Sequence, residues 1–166
     1  MIDILGELNA VHRETGHRRL PTGQAPTGQA PTGERTVMLR RRYDAPIEDV
    51  WDAITNAGQG ATAFELERAG LGGQQWAEFG PGAVGVGWDL TLLGLRLHLL
   101  GGSIDDAGAW EGSPEARQFM TRSSNAWGEA LRATGLSAAE VARMVENTTR
   151  FYAPDPESTR NQGAGD

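Results

Sequence analysis

The hydrophobic positions of the chain crowd into one stretch, Gly80 to Leu100, which reads GPGAVGVGWDLTLLGLRLHLL. Two periods run through it. Val84, Val86, Trp88, Leu90 and Leu92 alternate with smaller or polar residues, as in a half-buried strand. Val86, Leu90, Leu93, Leu97 and Leu100 also recur at steps of four and three, with Val84, Trp88, Leu92, Leu95 and Leu99 as a second row beside them. Both rows fit one helix of about eighteen residues, too long for an ordinary strand. The pattern predicts a buried central helix, with Asp89, Thr91, Arg96 and His98 as its polar exceptions. Gly85, Gly87 and Gly94 each weaken a helix, so they mark expected points of close approach by a neighbour.

Elsewhere the periods are shorter. Ile4, Leu5, Leu8 and Val11 share one face of an expected amphipathic helix, Ile2 to Thr15, ended by Gly16. Thr36 to Tyr43, TVMLRRRY, reads as a strand with Val37, Leu39 and Tyr43 on one face and Met38, Arg40 and Arg42 on the other. Arg41 then falls on the apolar face. A buried guanidinium there needs a carboxylate, with Glu65, Glu67 or Asp89 as candidates, unless Arg41 sits at a frayed strand end and reaches water. Arg40 to Arg42 could touch phosphate, but without interleaved aromatics they read as a solvated strand edge.

Asp44 as N-cap and Pro46 at the first helical position open a helix with Ile47, Val50, Trp51 and Ile54 on its apolar face, ended by Asn56 to Gly60. Ala61 to Glu67 is a second strand, with Thr62, Phe64 and Leu66 opposite Ala63, Glu65 and Glu67. Gln74 to Phe79 form one helical turn before the central helix. Ser113, Pro114 and Glu115 start a helix that runs to about Thr134, burying Phe119, Met120, Trp127 and Leu131 before Gly135. Ser137 and Glu140 have capping-box spacing and open a last helix through Val141, Met144, Val145 and Phe151.

Between the first helix and the first strand lies PTGQAPTGQAPTGE, a five-residue unit starting at Pro21, Pro26 and Pro31. Such a segment buries no apolar surface and reads as a linker. The expected organisation is therefore a helix at 1–16, a linker at 17–35, a packed domain at 36–153 and a polar tail at 154–166.

Composition narrows the chemistry. The net charge of −7 argues against a nucleic-acid partner, whose backbone is recognised by clustered positive charge. All 15 basic residues are Arg, which leaves no lysine for a Schiff base, and without cysteine there is no thiol catalysis or Cys-based zinc site. Acids stand near the N-terminus where a signal peptide carries positive charge, and the long apolar segment holds Asp89, Arg96 and His98. The expectation is a cytoplasmic protein that does not enter a membrane.

The run RTVMLRRRYDAPIEDVWDAIT resembles the opening of the START-like superfamily, also called helix-grip or polyketide-cyclase-like, in the branch similar to the activator of the heat-shock ATPase. Ala45, Pro46, Ile47, Val50 and Trp51 match that branch's motif between first strand and first helix. The run ATAFELERAGLGGQQWAEFGPGAVGVGWDLTLLGLRLHL resembles its last strand and long gripping helix, and the likeness extends through AWEGSPEARQFMTRSSNAWGEA to FYAP. The family places a short helix and about five strands between these two regions, which need roughly 40 to 60 residues; here only Ala57 to Gly60 stand there. The resemblance therefore implies an α+β fold, a truncated helix-grip that is mostly helical, with a remnant two-stranded antiparallel sheet packed on a long C-terminal-half helix. The strands lost would have formed most of the wall of the family's ligand cavity.

Functionally, the first expectation is non-catalytic binding of an apolar small molecule, with Trp88, Leu92, Leu95 and Leu99 as one wall of the site. The same side chains could instead be ordinary core. The alternative is a protein-interaction or stress-response module that engages a partner, or a second copy in a homodimer, through acidic surface or exposed strand edges. A cyclase-like enzyme comes third, since no acid/base pair is visible. No catalytic residue, metal ligand or cofactor is expected. His12 and His17 are poorly spaced for a shared metal, and His98 reads as a partly buried, hydrogen-bonded residue rather than a general base. Asp105, Asp106 and Glu111 lack an EF-hand pattern. The glycine-rich GPGAVGVG run lacks the Lys-Ser/Thr of a phosphate-binding loop.

Overall fold

A computed structural model describes residues 3–18, 34–52, 62–71, 73–102 and 107–155. The repeat after residue 18, the expected helix end at Asn56 to Gly60, Asp105, Asp106 and the tail beyond 155 lie outside the described residues. The fold is α+β and mostly helical, with an antiparallel sheet of strands β1 (Val11–Arg18), β2 (Glu34–Tyr43) and β3 (Thr62–Leu71) in the order β1-β2-β3. The helices are α1 (Ile4–Glu7), α2 (Ile47–Asp52), α3 (Gly73–Phe79), α4 (Gly82–Leu99), α5 (Ala107–Glu111), α6 (Pro114–Arg132) and α7 (Ala138–Tyr152).

The two strands expected from alternation pair with each other, Arg40 opposite Glu65 and Leu39 opposite Leu66. The third strand is a correction. The expected helix over Ile2 to Thr15 is helical only through α1 and a 3-10 turn, Leu8–Ala10, after which the chain extends as β1. Asp3 caps α1 by accepting the Gly6 N–H at 2.9 Å, and Leu8 is buried. From Val11 onward, pairing with β2 wins because it satisfies the backbone over eight residues and turns Arg13 and Thr15 inward to polar partners.

The linker expectation changes with it. Arg18 and Glu34 are ladder partners, so the repeat joins two strands of one hairpin rather than a separate helix to a domain. No run of about five further strands fits between α2 and β3, where only residues 53–61 intervene.

On β2 the inward residues Val37, Leu39, Arg41 and Tyr43 are all buried, while Arg40 and Arg42 are exposed. The outer face of the sheet carries a charge ladder: Glu14 accepts from His12 Nε2 at 2.7 Å and lies 3.6 Å from Arg40, which also pairs with Glu65. The His12 hydrogen bond, with Arg40 attraction added, lowers the Glu14 pKa.

Against the inner face pack α4 and α6, and α7 packs on α6 and α3. Val37, Leu39, Val86, Leu92, Trp127, Leu131 and Val141 belong to one core cluster; Leu8, Leu93, Leu97 and Phe119 form a second. The central helix forms as its two apolar rows predict. Gly85 is a true point of close approach, since a Cβ there would lie 2.2 Å from the Trp127 ring. Gly94 is not, having nothing among the described residues within 4 Å of the same position.

The later caps also follow the sequence. Ser113 accepts the Ala116 N–H at 3.1 Å, and Ser137 with Glu140 forms a full capping box. Side chains of α7 then satisfy the end of α3: Arg143, Asn147 and Thr148 donate to the carbonyls of Ala77, Glu78 and Phe79, each at 3.0 Å. Phe151, the last apolar residue expected in this helix, is 68% exposed, with its ring edge-on to Phe79 at 5.8 Å. The same ring also stands edge-on to that of Tyr152, at 5.0 Å.

Candidate functional site

The four residues expected to wall a binding site lie along one side of α4, about 16 Å from first to last at the helical rise. They do not share one environment. Leu92 is buried, and its carbonyl accepts from the Tyr43 hydroxyl at 3.3 Å. Trp88 is half-buried against the main core, and Leu95 and Leu99 are half-buried nearer the C-terminal end of the helix.

Beneath this row the interior of the fold holds two charged clusters. In the first, the Asp89 carboxylate is fully enclosed between β1, α4 and α6. Arg13 donates to it from Nη2 at 2.8 Å and from Nε at 3.0 Å; Ser123 Oγ donates at 2.6 Å and Trp127 Nε1 at 3.1 Å. The same guanidinium also donates to the carbonyls of Leu8 and Val11, at 3.1 and 3.0 Å. Both ions are thus paired and hydrogen-bonded, the condition for burying them. The three elements are pinned at one point, and both carboxylate oxygens are spoken for. This arrangement is architectural.

The second cluster lies around Arg41. Its side chain is 4% exposed, so it neither frays nor reaches water. Its carboxylate is none of the three candidates: Arg41 Nη2 pairs with Glu7 Oε2, at the end of α1, while Asp89 is taken by Arg13. Arg96, on α4, approaches the other oxygen of Glu7 at 3.7 Å. Two guanidiniums therefore share one carboxylate.

Arg41 Nε has no hydrogen-bond partner among the described residues, and the guanidinium lies 4.9 Å over the Tyr43 ring. Burial lowers the Arg41 pKa, and repulsion from Arg96 adds to that. Burial also pushes the Tyr43 hydroxyl up to about 12.

Sequence reasoning missed Arg13 and Glu7, because both fell in a stretch read as one amphipathic helix. The signal that could have found Arg13 was the alternation of Val11, Arg13 and Thr15 in VHRETGHR, masked by having a single apolar member. His98 is exposed, which corrects the partly buried reading; His12 and His17 are exposed too. Among the described residues no group of three or more His, Asp or Glu could hold a metal ion, and no helix is long and apolar enough to cross a membrane. No family model, curated protein or solved structure matches the chain.

Proposed function

We propose that the chain is a shortened START-like binding module that holds an apolar small molecule against α4, without catalysis. The supporting observation is the contrast between the two sides of that helix. Val86, Asp89, Leu93 and Leu97 are sealed in the interior, whereas Trp88, Leu95 and Leu99 keep part of their apolar surface in water. Covering such surface is favourable at about 25 cal/mol per Å².

Thermal unfolding with and without decan-1-ol tests this reading. A ligand that binds only the folded state raises the melting temperature with its concentration over Kd. The expected result is a dose-dependent rise that is weakened in Leu95→Ser. No rise at any soluble concentration overturns it.

A protein-interaction module is the second reading, favoured by the exposed Phe151 ring beside Phe79. Its test is the mass by light scattering across a concentration series. Association that Phe151→Ser abolishes supports it, and a monomer throughout counts against a second copy as the partner.

A further inference from the structure

Resting on the ligand-binding reading above, we infer that the ligand is an amphiphile with a carboxylate head, held by Arg41 and Arg96 in the place that Glu7 now occupies. Three observations meet at this point. First, among the described residues the local charge does not balance: Arg41 and Arg96 both face Glu7, and Asp89 is bound on both oxygens by Arg13. Second, a guanidinium that is almost wholly buried has no partner for its Nε among the described residues, an unmet donor that costs stability unless an acceptor arrives.

Third, the position suits an amphiphile. Arg96 stands one turn beyond Leu92 on α4, next to Leu95 and one turn before Leu99, so the head site adjoins the half-buried apolar row. Tyr43 joins the two: its ring lies beneath Arg41 and its hydroxyl bonds the Leu92 carbonyl.

Glu7 acts in this arrangement as a built-in competitor. It belongs to a four-residue helix followed by a single 3-10 turn, and its side chain is 17% exposed. An incoming carboxylate would exchange one charge-assisted pair for another. It would also reach Arg41 Nε, which Glu7 leaves unmet. Arg96, at 26% exposure, offers the side of the pair open to solvent. A planar guanidinium fork matches a carboxylate in two-pronged fashion, which selects an acid over an alcohol of equal chain length.

The experiment compares decanoate with decan-1-ol by calorimetric titration of the full chain, in the wild type, Glu7→Gln and Arg96→Gln. Near-UV circular dichroism confirms the fold of each. The wild type is expected to bind decanoate about tenfold or more tightly than decan-1-ol, the worth of the added hydrogen bond from Arg41 Nε. Glu7→Gln should widen that ratio by removing the competing charge, and Arg96→Gln should narrow it, since Arg41 alone then holds the head.

Equal affinities in the wild type, or an unchanged ratio in Arg96→Gln, overturn the carboxylate head and leave the apolar site standing. Tighter alcohol than acid binding does the same. Binding of neither compound overturns the binding-module reading and this inference with it.

Discussion

Arg13 and Arg41 enter the interior from neighbouring strands, β1 and β2, and each loses nearly all contact with solvent. Arg13 meets a carboxylate that Ser123 and Trp127 also hold, and its Nη1 donates to two carbonyls. Arg41 shares a carboxylate with Arg96 and, among the described residues, keeps one donor unmet. Burial alone therefore says little about what an ion does in this fold. A saturated pair fixes elements in place, whereas an unsaturated one has chemistry left for something else.

The comparison breaks first at Asp89. Asp89→Asn removes the charge that justifies burying Arg13, and breaking a buried pair from one side costs about 3–5 kcal/mol. Urea unfolding of the variant should show that loss. If the variant unfolds within a few tenths of a kcal/mol of wild type, the first cluster is no pin.

Next comes Gly85, the seat of Trp127. Gly85→Ala drives a Cβ into the indole ring that donates to Asp89, and overpacking of this kind costs about 1–3 kcal/mol. Gly94→Ala, with open space around it, should be neutral or gain up to about 1 kcal/mol of helix propensity in the same assay.

The second cluster predicts an alkaline limit. Tyr43 ionises near 10 in the unfolded chain but only at about 12 when folded, so between those values the unfolded state binds fewer protons. Stability must then fall as pH rises through that window, by on the order of 2 kcal/mol, and Tyr43→Phe should flatten the decline. A decline of equal size in Tyr43→Phe would assign it to other groups.

The smallest expected effect is that of Glu7→Gln on stability, about 1 kcal/mol, because Glu7 and Arg96 both reach solvent whereas Asp89 is enclosed. A loss as large as that of Asp89→Asn would make the two clusters equivalent and Glu7 a structural partner.

Much of this fold can be read from the chain because its later elements obey simple rules. The rows of apolar residues in α4, the Ser113 and Ser137 caps and the alternation in β2 and β3 each act over a few residues. β1 was illegible for the opposite reason. Its inward positions include Arg13 and Thr15, polar residues whose partners Asp89 and Ala130 lie far along the chain.

The site divides in the same way. The side of α4 bearing Trp88, Leu92, Leu95 and Leu99 follows from periodicity. That Leu92 is sealed while its neighbours are not depends on Tyr43 and the core, which periodicity does not encode. The pairing of Arg41 with Glu7 is set by how a short N-terminal helix docks, so alternation could place Arg41 inside without naming its counter-ion.

The hairpin of β1 and β2 also bears on the order in which the molecule can be assembled. The bonds of its inner face to Asp89 and Ala130 span 76 and 115 residues. During synthesis from the N-terminus, the hairpin is made long before α6 exists to cover it. A face lined wholly with leucine and valine would spend that interval as a sticky surface. Arg13 and Thr15 can remain hydrated until their partners emerge, so the same polar residues that obscure the strand in the sequence protect it from premature association.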